Sequence, residues 1–134
     1  MKTNFTLLIA DRNPHVRTFL QREMTAAGYR VRLADNGREV LKWAFQGEPI
    51  DMIILDPDLP DADETHMVEH LLDRIPMLPL IMHTYPSEYS IGLKDKKDVV
   101  FVEKGGRSVE RLKQVVYETL VEHPTRRWPE KRSV

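Results

Sequence analysis

Met52, Ile53, Ile54 and Leu55 form an unbroken apolar run between Pro49 and Pro57, and this run restricts the possible folds more than any other stretch. It is too short for a helix that stands on its own, and the flanking prolines stop one from extending. An apolar run without alternation is covered on both faces, the pattern of a buried parallel strand. Parallel strands need long, usually helical crossovers between them, so an α/β fold is expected. In such sheets ligands bind beyond the carboxyl ends of the strands, and the run delivers Asp56 to that end. From residue 48 to residue 64 there are seven acidic residues and no Lys or Arg. Positive charge at this edge then comes from another segment, a metal ion or a partner; taken alone, the stretch reads equally as a solvated acidic loop.

The same pattern recurs along the chain. Residues 5–10 read as a buried strand ending at Asp11, after which Asn13 caps a helix with Pro14 at its first position. Val16, Phe19, Leu20 and Met24 recur at helical spacing until Gly28 stops the helix. Residues 29–34 alternate apolar side chains with Arg30 and Arg32, as suits a strand near the sheet edge. After a turn at Asp35, Asn36 and Gly37, residues 38–46 place Val40, Leu41, Ala44 and Phe45 on one helical face, with Trp43 as a packed neighbour. Beyond Asp56 a single helix is expected over residues 63–74, ended by Pro76 and Pro79. Residues 80–82 form a short strand leading to His83 and Thr84. Residues 85–98 leave room for only a short helix. Residues 99–102 are a fifth strand, followed by a loop at Lys104, Gly105 and Gly106 and a helix capped by Ser108 and bearing Val109, Leu112, Val115, Val116 and Leu120.

Strands alternating with helices predict a doubly wound, five-stranded parallel sheet covered on both faces, with right-handed crossovers. In the flavodoxin-like order 2-1-3-4-5, the strand ends bring Asp11, Arg12, Asp56, Thr84 and Lys104 to one pocket.

With 134 residues one domain is expected, over residues 1–122, without a second catalytic or DNA-binding domain beside it. The absence of cysteine excludes disulfides, thiolate metal sites and cysteine nucleophiles. No signal peptide or membrane-spanning run is present, so a cytoplasmic location is expected. Four basic residues against one acid give residues 123–134 a charge of +3, which leaves −4 for the 122 residues before them. An acidic body disfavours nucleic acid as the main partner, because phosphate binding needs a basic face. The basic tail, with Trp128, is expected to be disordered, or to serve as a linker remnant or docking peptide.

The order and spacing of Leu-Leu-Ile-Ala-Asp11, Ala34-Asp-Asn-Gly-Arg-Glu-Val-Leu, Ile53-Ile-Leu-Asp56-Pro-Asp-Leu-Pro60, Pro79-Leu-Ile-Met-His-Thr84 and Phe101-Val-Glu-Lys104 resemble the receiver domain of two-component response regulators. The resemblance runs from Phe5 to Leu120. It implies that Asp56 accepts a phosphoryl group from the phosphohistidine of a sensor kinase or a phosphotransfer protein, and that the product signals to a downstream protein partner. It further implies a Mg2+ ion held by Asp11, Asp56 and the backbone carbonyl of Asp58. Thr84 matches the hydroxyl that binds a phosphoryl oxygen, Lys104 the lysine that pairs with it, and Phe101 the aromatic side chain that changes rotamer on activation. Homodimerisation is a further implied possibility. A carboxylate acceptor, a cation, a hydroxyl and a lysine meet what phosphoryl transfer requires, which is positioning and neutralisation of charge. Of the other acids, Asp61, Asp63 and Glu64 are expected to shape the start of the next helix.

The chain departs from this pattern in several places. Arg12 stands where the family has its second acid, and Asp11 and Asp56 against Arg12 and Lys104 sum to zero with no ion present. Arginine stays protonated and grips carboxylates, so Arg12 either takes the metal's place or swings to solvent. Gly105 replaces a proline and removes an expected cis peptide bond. The Thr84–Lys104 spacing is short, which predicts a stunted helix between them, and Tyr85 stands where a small residue is common. Two alternatives to a working receiver therefore stay open. One is a pseudo-receiver that binds partners without phosphorylation. The other is a metallohydrolase built on His66, Glu69 and His70, whose H-x-x-E-H spacing places both histidines on one helix face.

Overall fold

The computed structural model describes residues 5–85 and 99–122. In chain order the elements are β1 (Thr6–Ala10), α1 (Pro14–Ala26), β2 (Arg30–Ala34), α2 (Gly37–Phe45), β3 (Met52–Leu55), α3 (Ala62–Thr65), α4 (Met67–Asp73), β4 (Leu80–Thr84), β5 (Val99–Glu103) and α5 (Ser108–Tyr117), which continues into a π-helical turn (Glu118–Glu122). The strands form one five-stranded sheet in the order β2-β1-β3-β4-β5, and every pairing is parallel. Order and direction are those predicted. The short helix expected within residues 86–98 and the tail at 123–134 lie outside the described residues.

Alternation along each strand divides the core in two. Leu8, Ala10, Ile53, Leu55, Leu80 and Met82 pack with Val40 and Ala44 of α2 and Met67 and Leu71 of α4. Leu7, Ile9, Met52, Ile54 and Ile81 pack on the opposite face with Leu20 and Met24 of α1 and Leu112, Val115, Val116 and Leu120 at the C-terminal end. Burial of each large side chain stabilises by roughly 1.5–3 kcal/mol. The two-sided core fixes the register, because a slip by one residue would exchange the faces.

The helix starts follow local chemistry. The Asn13 side chain accepts the amides of His15 and Val16, with Pro14 in the first turn, and Gly28 after α1 takes φ 106°. The Asn36 side chain accepts the Glu39 amide at 2.8 Å to open α2.

Four expectations need correction. The predicted helix over residues 63–74 is two helices separated by His66, which adopts φ 53° and ψ 42°. Ala62, Met67 and Leu71 are all buried, and the step from 62 to 67 does not fit one face of a continuous helix. A left-handed residue at the junction resets the phase. Phe19 and Phe45, placed on inward faces from the sequence, are 39% and 50% exposed. The inward line of α1 runs through Leu20 and Met24, and the two rings lie at the borders beneath Arg22 and Arg74, respectively. Ser108 is the first residue of α5 rather than its cap, and among the described residues no side chain caps that helix.

Candidate functional site

β1 and β3 are neighbours with Ala10 opposite Leu55, so the residues that follow them, Asp11 and Asp56, emerge side by side at the carboxyl edge. Both are 1% exposed. The Asp56 amide donates to the Ala10 carbonyl at 2.9 Å, and the Asp11 amide to the Ala34 carbonyl at 3.3 Å. Each carboxylate also takes a local amide: Asn13 donates to Asp11 Oδ1 at 2.9 Å and Asp58 to Asp56 Oδ1 at 3.0 Å. Such bonds fix the orientation of the two carboxylates.

Lys104 enters from the end of β5. Its amide donates to the Thr84 carbonyl at 2.9 Å, which continues the β4–β5 pairing by one step. Its Nζ lies 3.1 Å from Asp11 Oδ2 and 3.6 Å from Asp56 Oδ2, with the lysine side chain only 9% exposed. One ammonium thus bridges two buried carboxylates, whose burial without a partner would be costly. Tyr85 places its ring 5.9 Å from the same Nζ and is itself 60% exposed. Thr84 is buried at the end of β4. Phe101 pairs with Met82 in the β4–β5 register and packs, partly buried, on the α2–α4 side of the sheet.

Arg12 covers the site from outside. Its amide donates to Asp56 Oδ2 at 3.2 Å and its Nε lies 3.5 Å from the same oxygen. Nη1 donates to the Asp58 carbonyl at 3.4 Å, and Nη2 is 4.0 Å from Asp58 Oδ2. The side chain is half exposed. Of the two placements open from the sequence, the guanidinium takes the inward one. The Asp58 carbonyl, the backbone oxygen that the family resemblance assigns to Mg2+, is therefore already engaged. Among the described residues, no group of three or more His, Asp or Glu side chains is arranged to hold a metal ion. The Arg12 guanidinium thus stands against two of the oxygens, Asp56 Oδ2 and the Asp58 carbonyl, that the family resemblance assigns to the ion.

Sequence reasoning missed two features. His83 is 3% exposed, and its Nε2 lies 3.0 Å from Ser108 Oγ. The Ser108 hydroxyl donates to the Gly105 carbonyl at 3.0 Å, so it accepts from a protonated Nε2. Nδ1 is buried with no partner among the described residues. Burial, reinforced by Lys104 and opposed by Asp11 and Asp56, lowers the His83 pKa from 6.5 to about 4. A polar residue inside an otherwise apolar strand was the available signal. The second is Asp61, whose carboxylate accepts the Gly37 and Arg38 amides instead of capping its own helix. Histidines 66 and 70 do not share one helix face, because His66 sits at the break between α3 and α4; the premise of the metallohydrolase reading is corrected. Among the described residues, the cis peptide bond is Ile75–Pro76, so the bond entering Gly105 is trans.

A parallel sheet in the order 2-1-3-4-5, with two buried carboxylates and a lysine converging at its carboxyl edge, defines a CheY-like, flavodoxin-type receiver fold. The chain belongs to the response regulator receiver domain family, whose profile matches residues 7–116. The response regulator TrrA of Thermotoga maritima, whose structure is in complex with Mg2+-BeF, is 28% identical and superposes with a TM-score of 0.73, covering 85% of this chain and 97% of that one. The chemotaxis regulator CheY4 of Vibrio cholerae shares the fold at 23% identity and a TM-score of 0.72, covering 85% and 99%. The Bacillus subtilis alkaline phosphatase synthesis transcriptional regulatory protein PhoP is 34% identical over 85 residues, 63% of this chain and 35% of that protein. The DNA-binding transcriptional regulator NtrC of Bradyrhizobium sp. is 29% identical over 89 residues, 66% of this chain and 18% of that protein. The match thus spans about a third or less of these curated relatives. Among the described residues, no helix is long and apolar enough to cross a membrane.

Proposed function

We propose that this chain is a cytoplasmic receiver module that accepts a phosphoryl group on Asp56 from a sensor histidine kinase or a phosphotransfer protein and signals by binding a downstream protein. The observation that carries this reading is the Lys104 ammonium held 3.1 Å from Asp11 and 3.6 Å from Asp56 at adjoining strand ends. A buried carboxylate with a fixed cation beside it suits the role of acceptor, because the same cation would neutralise charge on the transferring group. In this reading Thr84 supplies a hydroxyl to a phosphoryl oxygen, and Phe101 changes rotamer as the β4–β5 edge tightens. The module acts on itself and turns over no separate substrate. Its acidic body favours protein over nucleic acid as partner, with a second copy of the chain as one such partner.

The test is incubation with a small acyl phosphate or phosphoramidate, followed by intact-mass analysis. The wild type gains one phosphoryl group and Asp56→Asn gains none. If the wild type takes up no phosphate under any ionic condition, Asp56 is not an acceptor. The domain is then a pseudo-receiver, a reading that the Arg12–Asp56 contact of 3.5 Å favours.

A further inference from the structure

We infer that the Arg12 guanidinium does the electrostatic work of the divalent cation, so that Asp56 accepts phosphate without metal; the inference rests on the phosphoacceptor reading above. Three observations support it. The guanidinium reaches both Asp56 Oδ2, at 3.5 Å, and the Asp58 carbonyl, at 3.4 Å, so it lies between an acceptor oxygen and a backbone oxygen that a cation would otherwise join. Its charge matches: an aspartate together with a divalent ion carries a net single positive charge, and an arginine carries the same. Exchanging one for the other leaves the pocket equally able to neutralise an acyl phosphate on Asp56. Finally, the contacts are long for charge-assisted bonds and the side chain is half exposed. The guanidinium is held near Asp56 without being saturated by it, and its free N–H groups can turn onto the oxygens of an arriving phosphoryl group.

The step needs no further reagent. A carboxylate oxygen of Asp56 attacks the phosphorus of an acyl phosphate and forms a new O–P bond. The bond from phosphorus to the acyl oxygen breaks, and the departing carboxylate keeps its electron pair. Arg12 and Lys104, which both reach Asp56 Oδ2, offset the charge that spreads over the peripheral oxygens of the phosphoryl group.

The full chain is treated with acetyl phosphate in EDTA and in millimolar magnesium chloride, and phosphorylation is followed by intact mass. Wild-type rates in the two conditions agree within about twofold, whereas Arg12→Asp, which restores an acid, loses about tenfold or more in EDTA and recovers in magnesium. Calorimetric titration with magnesium shows binding to Arg12→Asp and none to the wild type. Circular dichroism confirms that the variant is folded, and Arg12→Ala, slow in both conditions, replaces it if it is not. Wild-type phosphorylation that requires magnesium overturns the inference and leaves the phosphoacceptor reading standing. Phosphorylation of Arg12→Asp alone also overturns it, since Arg12 then blocks the site. No phosphate on any variant overturns both.

Discussion

The Asp61 carboxylate closes the N-terminus of a helix that starts 24 residues earlier, accepting the Gly37 amide through Oδ1. Its second oxygen takes the Arg38 amide at 3.1 Å, while Asn36 takes that of Glu39. The opening turn of α2 is thus satisfied by side chains from two separate segments, which ties the loop after β3 to the helix after β2.

Replacing Asp61 with Asn removes the charge and at least one of these bonds, and a loss of about 1 kcal/mol is expected at neutral pH. Burial raises the Asp61 pKa, but the Gly37, Arg38 and Asp61 amides and the Arg38 charge together outweigh it and hold it below the ordinary 3.8. The contribution is therefore complete above the unfolded value and is lost as pH falls through the folded one. Denaturant unfolding of wild type and Asp61→Asn over an acid series checks this; a gap that stays constant to the lowest pH would refute the assignment.

His83 gives a pH dependence in a higher window. The unfolded chain takes up a proton near 6.5, whereas the folded one resists until about 4. Between these values the unfolded state binds more protons, so this contribution is full above 6.5 and is lost as pH falls toward 4. Wild-type stability should drop more steeply across that window than that of His83→Gln. Parallel curves would show that the imidazole titrates normally.

Lys104→Met should destabilise the fold by about 3 kcal/mol, because it leaves two buried carboxylates facing one another without the ammonium that bridges them. Adding Asp11→Asn removes one of those charges and should restore about 1 kcal/mol or more. Additive losses in a thermal-unfolding double-mutant cycle would mean that the 3.1 Å contact carries no coupling.

His66 offers the opposite sign. Its φ of 53° costs any side-chain-bearing residue about 1 kcal/mol relative to glycine. His66→Gly should raise the midpoint of thermal unfolding, and His66→Val should lower it by more than the glycine gains. If both variants melt below the wild type, the imidazole makes a stabilising contact that outweighs the backbone strain.

The parts of this molecule that were legible in the sequence depend on local pattern. The run from Met52 to Leu55 declared a strand without reference to anything distant, and so placed Asp56; the Asn13–Pro14 start of α1 is equally local. The pocket residues are legible too, because parallel topology maps strand ends to one edge. What escaped was set by distant partners. The break at His66 follows from burial of both Ala62 and Met67, and the role of Asp61 depends on a helix start far upstream. Ser108 was drawn from capping its own helix by a histidine on β4 and a carbonyl in the preceding loop. The direction of Arg12 depends on the Asp58 carbonyl, 46 residues away, which accepts from its Nη1.

Tyr85, whose ring lies 5.9 Å from the Lys104 ammonium, places a chromophore on the rim of the pocket. If Asp56 takes up a phosphoryl group as proposed, an ammonium drawn toward the new negative charge leaves the phenol in a different field. A near-ultraviolet difference spectrum that is present in the wild type and absent in Tyr85→Phe would make this ring an optical probe of Asp56, readable in real time without a label.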